Sequence, residues 1–421
     1  MKQFFTKQYR SIWVAAVVLL GAVACTKTEE AKSLAAQPET QEQRIILAPT
    51  RSYDEALALA QQCIGIVDRA KTRALRPRVI RSTRGQCVTA PCTRNGESQL
   101  DTLMYVFNFE DNNGFSIIAA NRAVDPVLAV VEKGNYTYGE KTGVENFDFY
   151  MDLLSSGLFP TKPPKPDTMI TLPSFKTVEV DIDRHCDPLV PVQWGQKGVF
   201  GAYAKNGRAG CVATAMAQIM AYYRYPTSIT TTYPNNEYTE HSKETIALDW
   251  EDMIAYSSGY QISALLREIG QKVHMDYSKP TVSEADRTAV LSGFKAFGYS
   301  CASKLSDYDI LPIRSALNEK RPVYVRGTDP KKGGHAWVAD GYVYKEKGTR
   351  YYELKLVDDG FSKPYYDYVL VSSTVVLTNL IHYNWGWDGD YNGYFATVNH
   401  CSPDIFNFKG LQMITSIQKA N

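Results

Sequence analysis

From Ser52 to Arg73 apolar residues recur at helical spacing, with Ala56, Leu57, Ala60, Cys63 and Ile64 on one stripe. Ser52 and Glu55 stand three apart at its start, which predicts a helix opened by a capping box. The period is then lost. Lys71, Arg73, Arg76, Arg78, Arg81, Arg84 and Arg94 follow without an acidic residue between them, and the stretch reads as a solvated basic loop. Three apolar runs come next, Leu103–Phe109, Phe115–Ala120 and Val127–Val131, bounded by Asp111-Asn112-Asn113-Gly114 and Lys133-Gly134-Asn135. They predict strands, and residues 146–154 a short helix. Pro160, Pro163, Pro164, Pro166 and Pro173 fall within 14 residues, the signature of an extended connector. Beyond it the pattern is mixed: an Ala/Met-rich helix from Cys211, helices near 260–273 and 283–297, then strand-like sequence from Pro322 onward.

Length and composition fit two or three folded domains. The chain has 421 residues, is 44% hydrophobic and carries a formal charge of +1. That supplies sizeable cores and leaves no global basic field for a nucleic acid. Lys2, Lys7 and Arg10 precede an apolar run from Trp13 to Ala24, too short to span a bilayer and of the length of a signal-peptide core. It ends in Ala22-Val23-Ala24-Cys25. Cys25 is then either the lipidated residue of a bacterial lipoprotein or incidental to a signal-peptidase site after Ala24. Residues 26–44 lack aromatic residues and read as a tether. Cys87 and Cys92 are close enough in sequence to bridge a small loop, and no CxxC pair marks a zinc ribbon.

Three segments carry candidate chemistry. Gly210-Cys211 opens a helix of small residues; unpaired N–H groups at a helix start favour a thiolate. Gly333-Gly334-His335 feeds an imidazole onto the first position of an apolar strand. In Asn384-Trp385-Gly386-Trp387 an asparagine can orient an imidazole and the next indole can shield the bond from water. Upstream, Gln196 supplies an amide donor for a developing oxyanion. Taken singly, each has an ordinary structural reading. Asp388-Gly389-Asp390-Tyr391-Asn392 begins like a calcium loop but lacks the closing glutamate, and reads as a turn.

In chain order Gln, Cys, His and Asn-Trp are what a papain-like cysteine peptidase needs, and the chain resembles the streptopain family. The resemblance rests on Trp194-Gly195-Gln196, GCVATAMAQIMAYYRYP (Gly210–Pro226), GQKVHMDY (Gly270–Tyr277), RPVYVRG (Arg321–Gly327), GGHAWVADGY (Gly333–Tyr342) and NWGWDGDYNGYF (Asn384–Phe395). Tyr105–Tyr136 is similar to that family's propeptide and to dedicated streptopain inhibitors. The chain departs from the pattern in Gly198-Val199-Phe200 after the glutamine and in extra sequence around 346–380, expected as an added hairpin near the active site.

The resemblance implies an α+β protein: a papain-like catalytic domain (186–421) preceded by a small α+β inhibitory prodomain (45–160) and a proline-rich linker and processing region (161–185), after a lipoprotein signal peptide (1–25) and tether (26–44). It implies Cys211 as nucleophile, His335 as its partner, Asn384 and Trp385 orienting and shielding the histidine, and Gln196 with the Cys211 N–H as oxyanion hole. Tyr277, Ser283, Gly333 and Gly334 would line the substrate cleft, with a hydrophobic P2 side chain preferred. No metal or organic cofactor is implied. Implied partners are protein or peptide substrates, the prodomain itself, a separate activating protease and, through a lipid anchor only, the bacterial envelope. Two alternatives stay open from sequence: a transglutaminase-like acyltransferase, which would normally carry Asp in place of Asn384, and a catalytically silent surface lipoprotein.

Overall fold

A computed structural model describes residues 50–68, 79–94, 97–122, 124–158, 175–231, 244–255, 259–279, 283, 285–329, 333–357, 365–373, 375–396 and 410–420. Helix α1 (Tyr53–Asp68) begins with the anticipated capping box: the Glu55 N–H donates to Ser52 Oγ (3.3 Å) and the Ser52 N–H to Glu55 Oε2 (2.7 Å). Its buried Ala56, Ala60, Cys63, Ile66 and Val67 pack on an antiparallel meander of β1 (Ile80–Arg94), β2 (Glu97–Phe109), β3 (Phe115–Ala119) and β4 (Val127–Val131). Helix α2 (Glu145–Leu158) closes this half.

Two expectations about irregular sequence are corrected here. Much of the basic stretch is strand: β1 pairs with β2 from Ile80↔Phe109 to Arg94↔Glu97. It lies at the end of the sheet, where charged residues are favoured because they deter further pairing. The region 161–185 is not all linker either. Residues 159–174 lie outside the described residues, but β5 (Phe175–Cys186) pairs with a long later strand. Its Val178, Val180 and Ile182 alternate as a strand requires, once the prolines end.

The second half begins with α3 (Cys211–Tyr223), buried at every position from Ala213 to Ala221 and hence central to its core. Then come β6 (Ser228–Thr231), β7 (Glu244–Ala247), α4 (Trp250–Ile254), α5 (Gly259–Lys272), α6 (Ala289–Ala296), β8 (Tyr299–Ser300), β9 (Ser306–Asp307) and α7 (Ile310–Asn318). The β-rich remainder holds β10 (Val323–Asp329), β11 (Gly333–Val357), β12 (Tyr365–Ser373), β13 (Val376–Asn384), β14 (Gly393–Ala396), β15 (Gln412–Ile414) and β16 (Gln418–Lys419).

One sheet runs through both halves in the order β1-β2-β3-β4-β14-β13-β11-β10-β15-β9, with β5 and β12 added on β11. The junction is β4 against β14, where Val130 pairs with Tyr394 and Ala129 with Phe395. Side chains alternate across β11. Trp337 and Ala339 enter a core shared with the N-terminal half, while Ala336 and Val338 enter the core built on α3 and α5. The extra sequence does form a hairpin, β11 with β12, but not beside the candidate site. Its first paired residue, Arg350, is fifteen positions along β11 from His335, about 50 Å of extended strand. Cys87 is a free thiol; it and Cys92 lie five residues apart on the same strand, too far along an extended backbone for a disulfide.

Candidate active site

Gly210 precedes α3 with φ 88°, a conformation glycine adopts without strain. A side chain there would also press on Met275 and Ser283, at 3.0 and 3.1 Å. Ser283 donates to the Arg208 carbonyl (3.1 Å) and Tyr277 to the Ala209 carbonyl (3.3 Å), so both anticipated pocket residues brace the loop that delivers Cys211. The loop is also tied to Gln196, whose carbonyl accepts from the Ala209 N–H (2.8 Å). The Gln196 side chain is buried, and its Nε2 has no hydrogen-bond partner among the described residues.

Cys211 reaches the start of β11 at Gly334. Its Sγ lies 4.0 Å from the Gly334 carbonyl. Part of the Cys211 surface still meets solvent, yet protein encloses the sulfur closely enough that burial pushes the thiol up to about 11. The Ala336 N–H and the first N–H groups of α3 oppose that rise, and the Glu145 carboxylate of α2 adds to it. The helix start therefore does not by itself yield the thiolate expected from sequence, because desolvation outweighs the helix N–H groups.

The register sets which face His335 occupies. β10 and β11 pair without a break from Val323↔Ala339 to Asp329↔Gly333, so side chains alternate strictly over this stretch. Val338 pairs with Asn384, which puts Asn384 on the face shared by Val338 and Ala336, the same side as Cys211. His335 is on the other face, with Trp337. There the Phe149 ring of α2 lies 5.3 Å from the imidazole and 6.2 Å from the Trp337 ring. Room for Phe149 comes from Gly327, directly opposite His335, where a Cβ would come within 2.4 Å of the phenyl ring.

Asn384 is fully engaged elsewhere. Its Nδ2 donates to the Val192 carbonyl (2.8 Å), and its Oδ1 accepts from Gln218 Nε2 (2.9 Å) and the Gly386 N–H (3.2 Å). Trp385, wholly buried, donates to the Tyr391 carbonyl (2.8 Å) within an aromatic cluster of Trp337, Tyr383 and Phe395. Phe147 and Tyr150 of α2 join that cluster. Asn146, beside them, donates from one amide nitrogen to the carbonyls of Ala336 and Trp385, both at 2.8 Å. Sequence reasoning missed Asn146, Phe149 and Gln218. The first two belong to an apolar helix with no catalytic motif. Gln218 had a signal: with Cys211 and Thr214 it is a polar position at i, i+3 and i+7 of an otherwise apolar helix. Cys25 lies outside the described residues.

Comparison with known proteins fits this division. Residues 194–395 match the model of the Peptidase C10 family, and residues 45–156 that of the Spi protease inhibitor. Streptopain of Streptococcus pyogenes is 27% identical over 329 residues, 69% of this chain and 73% of that protein. The thiol protease/hemagglutinin PrtT of Porphyromonas gingivalis is 26% identical over 335 residues, 70% of this chain but 34% of its own length. A solved fragment of Prevotella intermedia prointerpain A covers 80% of this chain and 98% of its own at 21% identity, with a TM-score of 0.48.

Residues 194–395 are thus a C10, or streptopain-family, cysteine peptidase domain. The chain is a cysteine endopeptidase of α+β, papain-like architecture with an inhibitor-like N-terminal domain, which decides against the acyltransferase and the silent lipoprotein.

In this C10 peptidase a buried charged cluster joins the two halves. His382, on β13, is buried with Nδ1 2.6 Å from Asp340 Oδ1 of β11 and Nε2 3.6 Å from Glu132 Oε1, just past β4. The Tyr394 ring closes the site at 4.9 Å. Burial alone lowers an imidazole pKa, but Asp340 and then Glu132 outweigh it and raise His382 to about 10. A raised folded-state value adds stability that is complete below the ordinary histidine range and lost as pH climbs through about 10. Glu132→Gln should therefore lower the melting midpoint of the full chain at pH 7 and flatten its decline between about pH 7 and 10. Thermal melts across that range check it; an unchanged pH slope contradicts it.

Proposed function

We propose that this protein is an exported, lipid-anchored zymogen in which Cys211 is the nucleophile and His335 its acid–base partner. In the processed enzyme the Cys211 thiolate attacks the scissile carbonyl, and the His335 imidazolium gives its proton to the leaving amine. Water then hydrolyses the acyl-enzyme. Asn384 orients the imidazole and Trp385 keeps water from their bond. Gln196 and the Cys211 N–H stabilise the oxyanion; support for Gln196 is its buried Nε2, partnerless among the described residues, a donor held for a charge that forms only during reaction. Tyr277 and Ser283 border the pocket for a hydrophobic P2 side chain, and Gly333 and Gly334 leave space for the substrate backbone. Export and the lipid on Cys25 rest on the sequence of residues 1–25, and cleavage falls within 161–185.

The observation that carries the zymogen reading is His335 on the face of β11 opposite Asn384, under Phe149. Activation then means release of α2, which frees the Ala336 carbonyl from Asn146 and lets the start of β11 turn His335 toward Cys211. The tether gives the prodomain an effective concentration of roughly millimolar, so inhibition in cis tolerates modest affinity. The test is to add the 45–160 segment to processed enzyme with a fluorogenic peptide. Inhibition should be complete at excess segment and weaker when it carries Phe149→Ala. An unchanged rate with a segment that circular dichroism shows folded would make the domain a spacer.

A further inference from the structure

Gln218 is wholly buried two turns along α3 from Cys211, on the same helix face. Its Nε2 donates twice, to the Trp194 carbonyl (3.0 Å) and to Asn384 Oδ1 (2.9 Å). Its Oε1 is buried with no partner among the described residues. A buried glutamine normally satisfies both ends of its amide, and an orphaned carbonyl of this kind costs stability. The arrangement persists because polarity is imposed on it. A backbone carbonyl can only accept, so Trp194 fixes which end of Gln218 donates. Val192, accepting from Asn384 Nδ2 (2.8 Å), fixes the other end of the pair. Between these two carbonyls Asn384 can sit only with its oxygen toward α3.

We infer that Gln218 is a positioning residue for peptide hydrolysis, holding the Asn384 amide in the one orientation that offers oxygen rather than N–H₂ to the His335 imidazole. The inference rests on the role given to Asn384 above. An asparagine amide is close to symmetric in shape, so without Gln218 only the Val192 carbonyl opposes its turning over and setting a donor against the imidazole N–H. Asn384 Oδ1 has room for two donors. Of its present two, the Gly386 N–H is the longer at 3.2 Å and is the one His335 would displace, leaving Gln218 in place.

The test uses enzyme matured from the full chain, with kcat expressed per active site titrated by a peptidyl epoxide that reacts only with the assembled Cys211 site, so unfolded material does not count. Gln218→Met, which keeps bulk but donates nothing, should lower kcat about tenfold with KM within twofold. Asn384→Ala added to it should cost no more than about twofold beyond Asn384→Ala alone, because both remove the same function. Gln218→Glu covers the case in which Gln218→Met does not fold. A buried carboxylic acid can donate one proton to Asn384 only while neutral, so the ratio of variant to parent kcat should fall as pH rises from about 5 to 8. Additive losses in the double variant, a normal kcat for Gln218→Met beside a slow Asn384→Ala, or a pH-independent ratio for Gln218→Glu would each overturn the inference alone. A normal Asn384→Ala would overturn the role of Asn384 and this inference with it.

Discussion

Cys211→Ala should lose at least about 10³-fold in peptidase activity, and the loss should persist after an added protease has removed the prodomain. Without a nucleophile only substrate binding and the oxyanion donors remain, and neither forms the acyl-enzyme. The fold should be spared. Cys211 sits at the first position of α3, and its sulfur approaches the Gly334 carbonyl at 4.0 Å, a weak contact whose loss costs the fold little. Helix entry is set by Gly210 and by Ser283, Tyr277 and Gln196 around the preceding loop, none of which depends on the thiol. The melting midpoint should therefore shift by only about a few degrees. His382 gives an internal contrast: it too is a buried histidine, but on β13 it faces the carboxylates of Glu132 and Asp340. Removing it should destabilise the chain without the signature of a lost nucleophile. Peptide turnover and melting curves on the same preparations check both halves of the expectation. Activity retained by Cys211→Ala would move the nucleophile elsewhere.

How much of this was legible in the sequence depends on whether the information is local. The capping box of α1, the last three of the meander's four strands, the helix from Cys211 and the helix near residue 260 follow from periodicity and turn residues, and the structure holds them at nearly the expected bounds. Where the sequence misled, pairing decided. β1 is a charged, period-poor segment made regular by β2 beside it, and β5 owes its place to the length of β11. At the site, residue types and chain order were legible, because small, Gly-flanked and aromatic positions are written in consecutive residues. Their relative placement was not. Whether His335 faces Asn384 or Phe149 is a question of which face of β11 each residue occupies, set by the pairings Val338↔Asn384 and Gly327↔His335 across three strands. Asn146 and Phe149 lie nearly 190 residues before the strand they hold, and nothing in α2 itself announces a partner at that distance.

In the full-length chain the alkylation rate of Cys211 should climb through pH 10 with a midpoint near 11, whereas in the processed enzyme it should level off several pH units lower. The displaced thiol is raised because burial penalises its charge, Glu145 repels it, and backbone N–H groups only partly compensate. A group with a value near 11 is ionised about once in 10⁴ molecules at pH 7, and each added pH unit brings close to a tenfold gain until the midpoint. Releasing α2 takes away both Glu145 and Phe149, and an imidazolium beside the sulfur brings thiols into roughly the 3.5–7.5 range. Thiolate then rises by nearly 10⁴, but a less basic thiolate is also a poorer nucleophile, with a Brønsted slope of about 0.4–0.5. For a thiol near 6 the two effects leave a net gain of roughly 50-fold at pH 7. The shape of the profile is thus the sharper measurement than the rate at any single pH. Iodoacetamide labelling from about pH 6 to 10, with Cys211 and the exposed free thiol Cys87 read separately by peptide mass spectrometry, gives both curves and an internal reference. Phe149→Ala in the unprocessed chain should move the Cys211 curve part of the way toward the processed one. The decisive contrary result is a full-length chain whose Cys211 rate is already flat below about pH 9: the thiol would then be paired before cleavage, and the prodomain would act by covering the cleft rather than by holding His335 on the far face of β11.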